Sequence, residues 1–298
     1  MALAITPINP ANPGFAGEVS NIDLRQPLGR ADAAAIDAGM NRYGVLVFHD
    51  QNIDDAQQIA FSTALGPLEV KKRPGNIRKS SESRLGAGIG DLSNLDRNGR
   101  IISAEDRQWF FKLGDRLWHS DSSYAEIPAK YSLLSARIIP SWGGRTEFAD
   151  MRAAYDALDA RTRAEAEDLI CEHSLLHSRG AIGFSEFTPE EIESFRPVRQ
   201  RLVRTHPDTG RKSLFLSSHA GAIVGWTIPE ARSFLRDLTE HATQREFVYS
   251  HAWRQYDLVM WDNRTTMHRA RRFDRTEVRD MRRTTLAGNA PTVEQAAA

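Results

Sequence analysis

The sequence predicts a mainly β fold, an antiparallel sandwich or barrel with helices packed outside it. Two observations carry this. Short runs of branched and aromatic residues, each closed by turn-forming residues, succeed one another along much of the chain. Helical periodicity interrupts them only at intervals, without the regular strand–helix alternation of a doubly wound parallel sheet.

Taken in order, Val45-Leu46-Val47-Phe48 reads as a buried strand, and a helix runs over 54–65 before stopping at Gly66-Pro67. From 71 to about 116 the chain is polar, glycine-dotted and irregular, apart from a short strand near 89–95. A loop of that length inside a compact domain is expected to be an active-site lid. A longer strand follows at 131–139. Asp150 then suits a helix N-cap, with Met151, Ala154, Tyr155 and Leu158 on one helical face behind it. Strands at 202–205 and 213–216 flank Pro207-Asp208-Thr209-Gly210, a hairpin turn by composition. Pro229 opens a second amphipathic helix through Ala231, Phe234, Leu235 and Leu238. Strands at 247–253, 258–261 and 282–286 complete the set, and the tail from about 289 to 298 is expected to fray. No linker or repeat divides residues 1–298, so a single domain is expected.

Composition narrows the function classes. Acidic and basic residues balance at 39 each, which leaves no global field for nucleic acid or a membrane surface. One cysteine, Cys171, excludes an internal disulfide framework and suits a reducing compartment. Residues 1–10 lack a signal peptide's charged start and apolar core, and no apolar run approaches the roughly 20 residues of a membrane span. A cytoplasmic protein with no nucleic-acid or membrane partner is expected.

The chemistry concentrates in Trp118-His119-Ser120-Asp121. Two histidines and one carboxylate on one face of an octahedron leave positions open on a mononuclear iron, the pattern of non-haem iron oxygenases. Residues two apart on a strand share a face, so His119 and Asp121 suit the first two ligands. The same tripeptide pattern recurs at His206-Pro207-Asp208, where the proline and the following Thr209-Gly210 predict a turn in which Asp208 caps its own backbone. For the distant ligand the candidates are His173, His177, His206, His219, His241, His251 and His268. His173 and His177 are spaced to share a helical face, and His241 closes an amphipathic helix, where a cation suits the helix dipole. His268 follows the strand at 258–261 and the polar elbow Asp262-Asn263-Arg264, which places it beside a packed core; spacing alone leaves the choice open.

At these residues the chain resembles the taurine dioxygenase/2,4-dichlorophenoxyacetate dioxygenase (TauD/TfdA) family of Fe(II)/2-oxoglutarate-dependent enzymes. The resemblance covers nearly the whole chain and is strongest over residues 118–124, 143–148 and 260–268. The stretches 150–158 and 240–246 are similar to the phenoxyacetate branch. What this implies is a double-stranded β-helix, a cupin-like jelly-roll barrel with outer helices, and His119, Asp121 and His268 as ligands of Fe(II). In the family a threonine 27 positions after the first ligand binds the 2-oxoglutarate carboxylate, and Thr146 occupies that place. Arginines 11 and 15 positions beyond the distal histidine bind cosubstrate and substrate, and here they are Arg279 and Arg283. The other arginines between 264 and 282 are expected to form a solvated basic face.

The resemblance implies that O2 and 2-oxoglutarate are consumed to hydroxylate a small anionic, aromatic substrate. An aryloxyacetate would then fall apart to a phenol and glyoxylate, with succinate and CO2 as coproducts. Lys71, Lys72 and Arg73 stand on the long loop as further candidates for the substrate anion, and Trp109, Phe110 and Phe111 either line an aromatic pocket or pin the loop to the core. A homo-oligomer is expected. Two competing readings are a taurine- or alkylsulfonate-type oxygenase and a non-catalytic metal-binding barrel. Related halogenases lack the carboxylate ligand, so Asp121 argues against halogenation.

Overall fold

The computed structural model describes residues 2–70, 76–77 and 83–295. The chain opens with strands β1 (Ala4–Pro7) and β2 (Gly17–Ser20), paired antiparallel. Helix α1 (Arg30–Tyr43) buries Ile36, Met40 and Tyr43, one face at helical spacing, and ends at Gly44, whose φ of 68° is the left-handed conformation glycine tolerates. Strand β3 (Val45–Phe48) is buried along its whole length. Helix α2 (Asp55–Leu65) starts on a capping box in which Asp54 accepts from the Gln57 amide and the Gln57 side chain accepts from the Asp54 amide.

The stretch expected to be an irregular lid carries more structure than its composition suggests. Its described part contains β4 (Gly90–Asp91), α3 (Arg107–Lys112) and a 3-10 turn over Leu113–Arg116. Next come β5 (Tyr131–Ile138) and β6 (Thr146–Asp150), then α4 (Met151–Asp156), capped as expected by the Asp150 carboxylate on the amides of Arg152 and Ala153. After α5 (Ala160–Ala166), β7 (Ile170–His173), α6 (Leu175–Gly180) and α7 (Pro189–Ser194), three short strands follow: β8 (Val198–Arg201), β9 (Val203–Thr205) and β10 (Lys212–Leu214). Strand β11 (Ala220–Ile223) leads into α8 (Ile228–Ala242), and β12 (Val248–His251), β13 (Leu258–Asp262), β14 (Thr266–Ala270) and β15 (Asp280–Thr285) finish the fold.

The largest sheet has the order β1-β2-β3-β13-β5-β15-β4, and a three-stranded sheet, β12-β6-β14, packs on it. Strand β13 explains how. Leu258 and Met260 point outward to Ile36, Met40 and Phe61 of the covering helices, whereas Val259 and Trp261 point inward to Phe148 of β6. Both faces are apolar, so the central strands read as continuous hydrophobic runs. The prediction of mainly β sheets with outer helices therefore holds. Among the described residues no ladder joins the ends of the large sheet, so the sheets are open, a sandwich rather than a closed barrel.

Three further expectations need correction. Helix α1 has no counterpart in the elements predicted above, because its alanines blur the apolar face. His173 and His177 share no helical face: His173 ends β7 and His177 lies in α6. The tail is tied down through Gln295. Thr292 is buried, accepts from the Arg201 amide at 2.9 Å and donates to Gln200 at 2.5 Å, while the Gln295 carbonyl accepts from Arg201 at 3.1 Å. Among the described residues no helix is long and apolar enough to cross a membrane.

Candidate active site

His119 and His268 are brought face to face by backbone pairing. Each donates its amide to the other's carbonyl, at 2.9 and 2.8 Å, an isolated antiparallel bridge between the 119–121 segment and the middle of β14. His268 thus sits within a strand rather than after its end. His119 lies on no continuous strand, and Asp121 begins a turn in which Ser122 has φ 55°. The alternation argument for His119 and Asp121 is therefore replaced by a bridge followed by a turn.

The ligand atoms of His119, Asp121 and His268 lie within 4.8 Å of one another, and all three residues are buried. The Nδ1 proton of His119 is donated to the Leu117 carbonyl at 2.8 Å, which leaves Nε2 as the ring's lone-pair nitrogen. His268 Nε2 stands 3.8 Å from Asp121 Oδ2, too far for a hydrogen bond. Burial, and then neighbouring His119, hold the His268 ring well below the usual imidazole range, so it is neutral. Burial alone would raise the Asp121 carboxyl, but Arg283 outweighs it and keeps the group ionised. Two imidazoles and a carboxylate, buried and converging without hydrogen-bonding one another through their side chains, fit a divalent metal.

The carboxylate is oriented by its surroundings. Ser132 donates to Oδ2 at 2.7 Å and Arg283 Nη1 to Oδ1 at 2.6 Å. Asn263 stands behind both: its Oδ1 accepts from the Asp121 amide and from the Trp261 indole, and its Nδ2 donates to Ser132 Oγ. Ser132 and Asn263 went unassigned from sequence, although a serine inside the apolar run 131–139 was a usable signal.

One cavity of about 180 Å3 is lined by His119, Asp121 and His268 and also by Thr146, Arg279 and Arg283. Arg279 is buried, and burial pushes its guanidinium down to about 10. Its amide is held by Asn94 at 2.8 Å, and Nη1 donates to the Leu92 carbonyl at 3.2 Å. Among the described residues it has no carboxylate within ion-pair distance. Gly143, with φ 79°, lets the chain pass close beneath: a Cβ there would lie 2.2 Å from the Arg272 carbonyl oxygen. Trp109 and Phe111 line the cavity, whereas Phe110 packs edge-on against Phe184. Lys71, Lys72 and Arg73 lie outside the described residues. Of the arginines expected on a solvated face, Arg264 is instead buried against Asp262.

The family described as taurine catabolism dioxygenase TauD, TfdA family matches residues 4–285. The chain is similar, at 43% identity over 95% of its length and 98% of the relative's, to an alpha-ketoglutarate-dependent 2,4-dichlorophenoxyacetate dioxygenase of Cupriavidus pinatubonensis. It is 35% identical to an (S)-phenoxypropionate/alpha-ketoglutarate-dioxygenase of Sphingobium herbicidovorans, over 95% of each chain. The crystal structure of AAD-2 in complex with Mn(II) and N-oxalylglycine superposes with a TM-score of 0.95 at 56% identity, covering 98% of this chain and all of that one. The chain belongs to the TauD, TfdA family of dioxygenases.

Proposed function

We propose that this protein is an Fe(II)- and 2-oxoglutarate-dependent oxygenase acting on aryloxyacetates. The observation that carries the reading is a single cavity holding both a convergent His-Asp-His set and a buried guanidinium with no carboxylate partner among the described residues. His119, Asp121 and His268 would hold the iron, leaving positions for cosubstrate and O2. When bound, the iron with 2-oxoglutarate would activate O2, one of whose oxygen atoms turns a C–H bond into C–OH while the other enters succinate, released with CO2.

The chain's own residues prepare that chemistry. An uncompensated buried arginine is costly, and the far carboxylate of 2-oxoglutarate would neutralise Arg279 through charge-assisted hydrogen bonds, with Thr146 beside it. Arg283 spends one nitrogen on Asp121, which both orients that ligand and leaves further N–H groups for the substrate's carboxylate. Trp109, Phe111, Leu134 and Phe273 supply apolar wall for an aromatic ring. Hydroxylation of the carbon beside the ether oxygen would give a hemiacetal that collapses to a phenol and glyoxylate. The names of the relatives support this substrate class. We read the packed sheets as the two halves of a double-stranded β-helix in one domain, with the described 83–116 stretch as one wall of the cavity.

The test is turnover. Iron-loaded protein with 2-oxoglutarate, mixed with O2 and either 2,4-dichlorophenoxyacetate or an alkylsulfonate, is assayed for succinate, phenol and sulfite. Succinate matched by phenol, and abolished by His119→Ala, is the expected result. Succinate matched by sulfite would keep the oxygenase and replace the substrate, while folded, iron-loaded protein giving no succinate would remove the reading.

A further inference from the structure

Behind the cavity wall lies a chain of polar contacts that ends on Thr146. The Trp253 indole N–H donates to Thr146 Oγ1 at 3.0 Å. An indole nitrogen can only donate, so the threonine oxygen must accept. The hydroxyl keeps one proton to give, and among the described residues no protein acceptor takes it. Thr146 lines the cavity that also contains Arg279, whereas Trp253 stands behind it, half-buried.

Trp253 is itself held in place. Its ring meets His251 edge to face at 4.7 Å and 90°. His251 lies directly opposite Thr146 in the β12–β6 register. The His251 ring is fixed from both sides, with Nε2 bonded to Asp257 Oδ2 at 3.0 Å and Nδ1 hydrogen-bonded to the Tyr249 hydroxyl at 3.1 Å. The buried Asp257 also engages His49 at 2.6 Å and the Arg254 amide at 2.8 Å. A carboxylate saturated in this way leaves His251, and so the indole that packs on it, little freedom to turn.

We infer that Trp253 is a positioning residue for Thr146: by occupying the hydroxyl's acceptor side, it directs the hydroxyl proton into the cavity, toward the far carboxylate of 2-oxoglutarate. This rests on the proposal that Thr146 and Arg279 hold that carboxylate. The pair would act as one unit, so removing the indole N–H would free the hydroxyl to rotate and weaken the same bond that Thr146 makes.

The test is a double-mutant cycle on 2-oxoglutarate binding to Mn(II)-loaded protein, followed by titration calorimetry. Thr146→Val is expected to weaken binding about tenfold and Trp253→Phe about three- to tenfold, the range of one hydrogen bond. The double variant should bind within about twofold of Thr146→Val alone, since the indole has no hydroxyl left to orient. The kcat of the iron-loaded Trp253→Phe variant at saturating 2-oxoglutarate should stay within about twofold of the parent while KM rises. If Thr146→Val weakens binding and Trp253→Phe does not, the positioning role is overturned and the cosubstrate reading stands. Additive effects in the double variant would also overturn it, because Trp253 would then act by a separate route. If Thr146→Val leaves binding unchanged while Arg279→Gln weakens it, the assignment of Thr146 falls and takes the inference with it. One measurement needs no Trp253 variant. In Zn(II)-loaded protein labelled with 15N at the tryptophan indoles, the resonance displaced by Thr146→Val should also move when 2-oxoglutarate is added, and a resonance that stays put overturns the proposal.

Discussion

The chain carries the same tripeptide pattern twice, and the two copies end in opposite circumstances. At His119-Ser120-Asp121 the imidazole faces a second histidine, the carboxylate is buried, and both line a cavity. At His206-Pro207-Asp208 both ring nitrogens are spent: Nε2 meets Asp262 at 3.2 Å and Nδ1 accepts from the Asp208 amide at 3.3 Å. The Asp208 carboxylate does not cap its own turn as expected but reaches Arg264 at 3.4 Å, with its side chain 46% exposed. The turn itself forms, and the Gly210 amide closes on the His206 carbonyl at 2.8 Å. What separates the copies is the residue that the fold places opposite each histidine. A histidine facing another histidine has a lone pair to offer a metal, whereas one facing a carboxylate is consumed by structure.

The comparison breaks most decisively on metal content. His119→Ala is expected to abolish stoichiometric binding, with at least a hundredfold loss of affinity by metal titration, because two side chains cannot hold the ion alone. His206→Ala should retain full metal and lose only stability, about 1–3 kcal/mol by denaturant unfolding, as Asp262 keeps Arg264 but loses the imidazole. Equal metal loss in both variants would mean that the second copy also serves the site.

Two of the buried arginines, Arg264 and Arg279, sharpen the same contrast. Arg264 is paired bidentately with Asp262 at 2.9 and 2.8 Å, whereas Arg279 has no carboxylate among the described residues. Arg279→Gln should raise the 2-oxoglutarate Kd by roughly 10- to 100-fold, the scale of hydrogen bonds to a charged group, without lowering the stability of the ligand-free protein. Arg264→Gln should leave that Kd unchanged and cost about 3–5 kcal/mol, because Asp262 stays buried and charged. A stability loss in Arg279→Gln as large as that of Arg264→Gln would show that its charge is already compensated.

A further contrast concerns a histidine with neither kind of partner among the described residues. His173 is fully buried against Phe215, neither ring nitrogen has a hydrogen bond among the described residues, and burial, then His177, lower its imidazole to about 3. The unfolded chain takes up a proton below the ordinary value of about 6.5 and the folded one does not. This group's contribution is therefore complete above 6.5 and is lost as pH falls toward 3, at up to roughly 1.4 kcal/mol per pH unit. His173→Phe should flatten the acid limb of the stability curve between those values, and an unchanged limb would mean that His173 protonates while folded.

Legibility from sequence followed the range of the interaction concerned. The central strands, the Asp150 cap, helix α2 and helix α8 were readable because each depends on residues within a turn or two of one another. Residues alone placed His119 and Asp121 but left seven histidines open for the distant position, and family resemblance narrowed these to His268. Strands β6 and β14, which carry Thr146 and His268, were not read as strands at all. Their sequences, Thr146-Glu147-Phe148-Ala149-Asp150 and Thr266-Met267-His268-Arg269-Ala270, mix polar and apolar residues because one face lines a cavity. Ser132, Asn263, Asn94 and Trp253 reach the site through partners remote in the chain, so no local pattern marks them.

By itself, then, the sequence determined the class of fold and the inventory of chemistry: apolar runs dictate strands, spacing dictates helical faces, and His-x-Asp with a dense arginine run supplies ligands and cations. Only the tertiary structure decided which of two His-x-Asp patterns meets a second histidine, that the buried Arg279 has no carboxylate partner among the described residues, and which indole turns a hydroxyl toward the cavity. Those outcomes depend on strand register and on burial from both sides. Register pairs residues more than a hundred positions apart, and burial removes the water that would otherwise satisfy any polar group left unpaired.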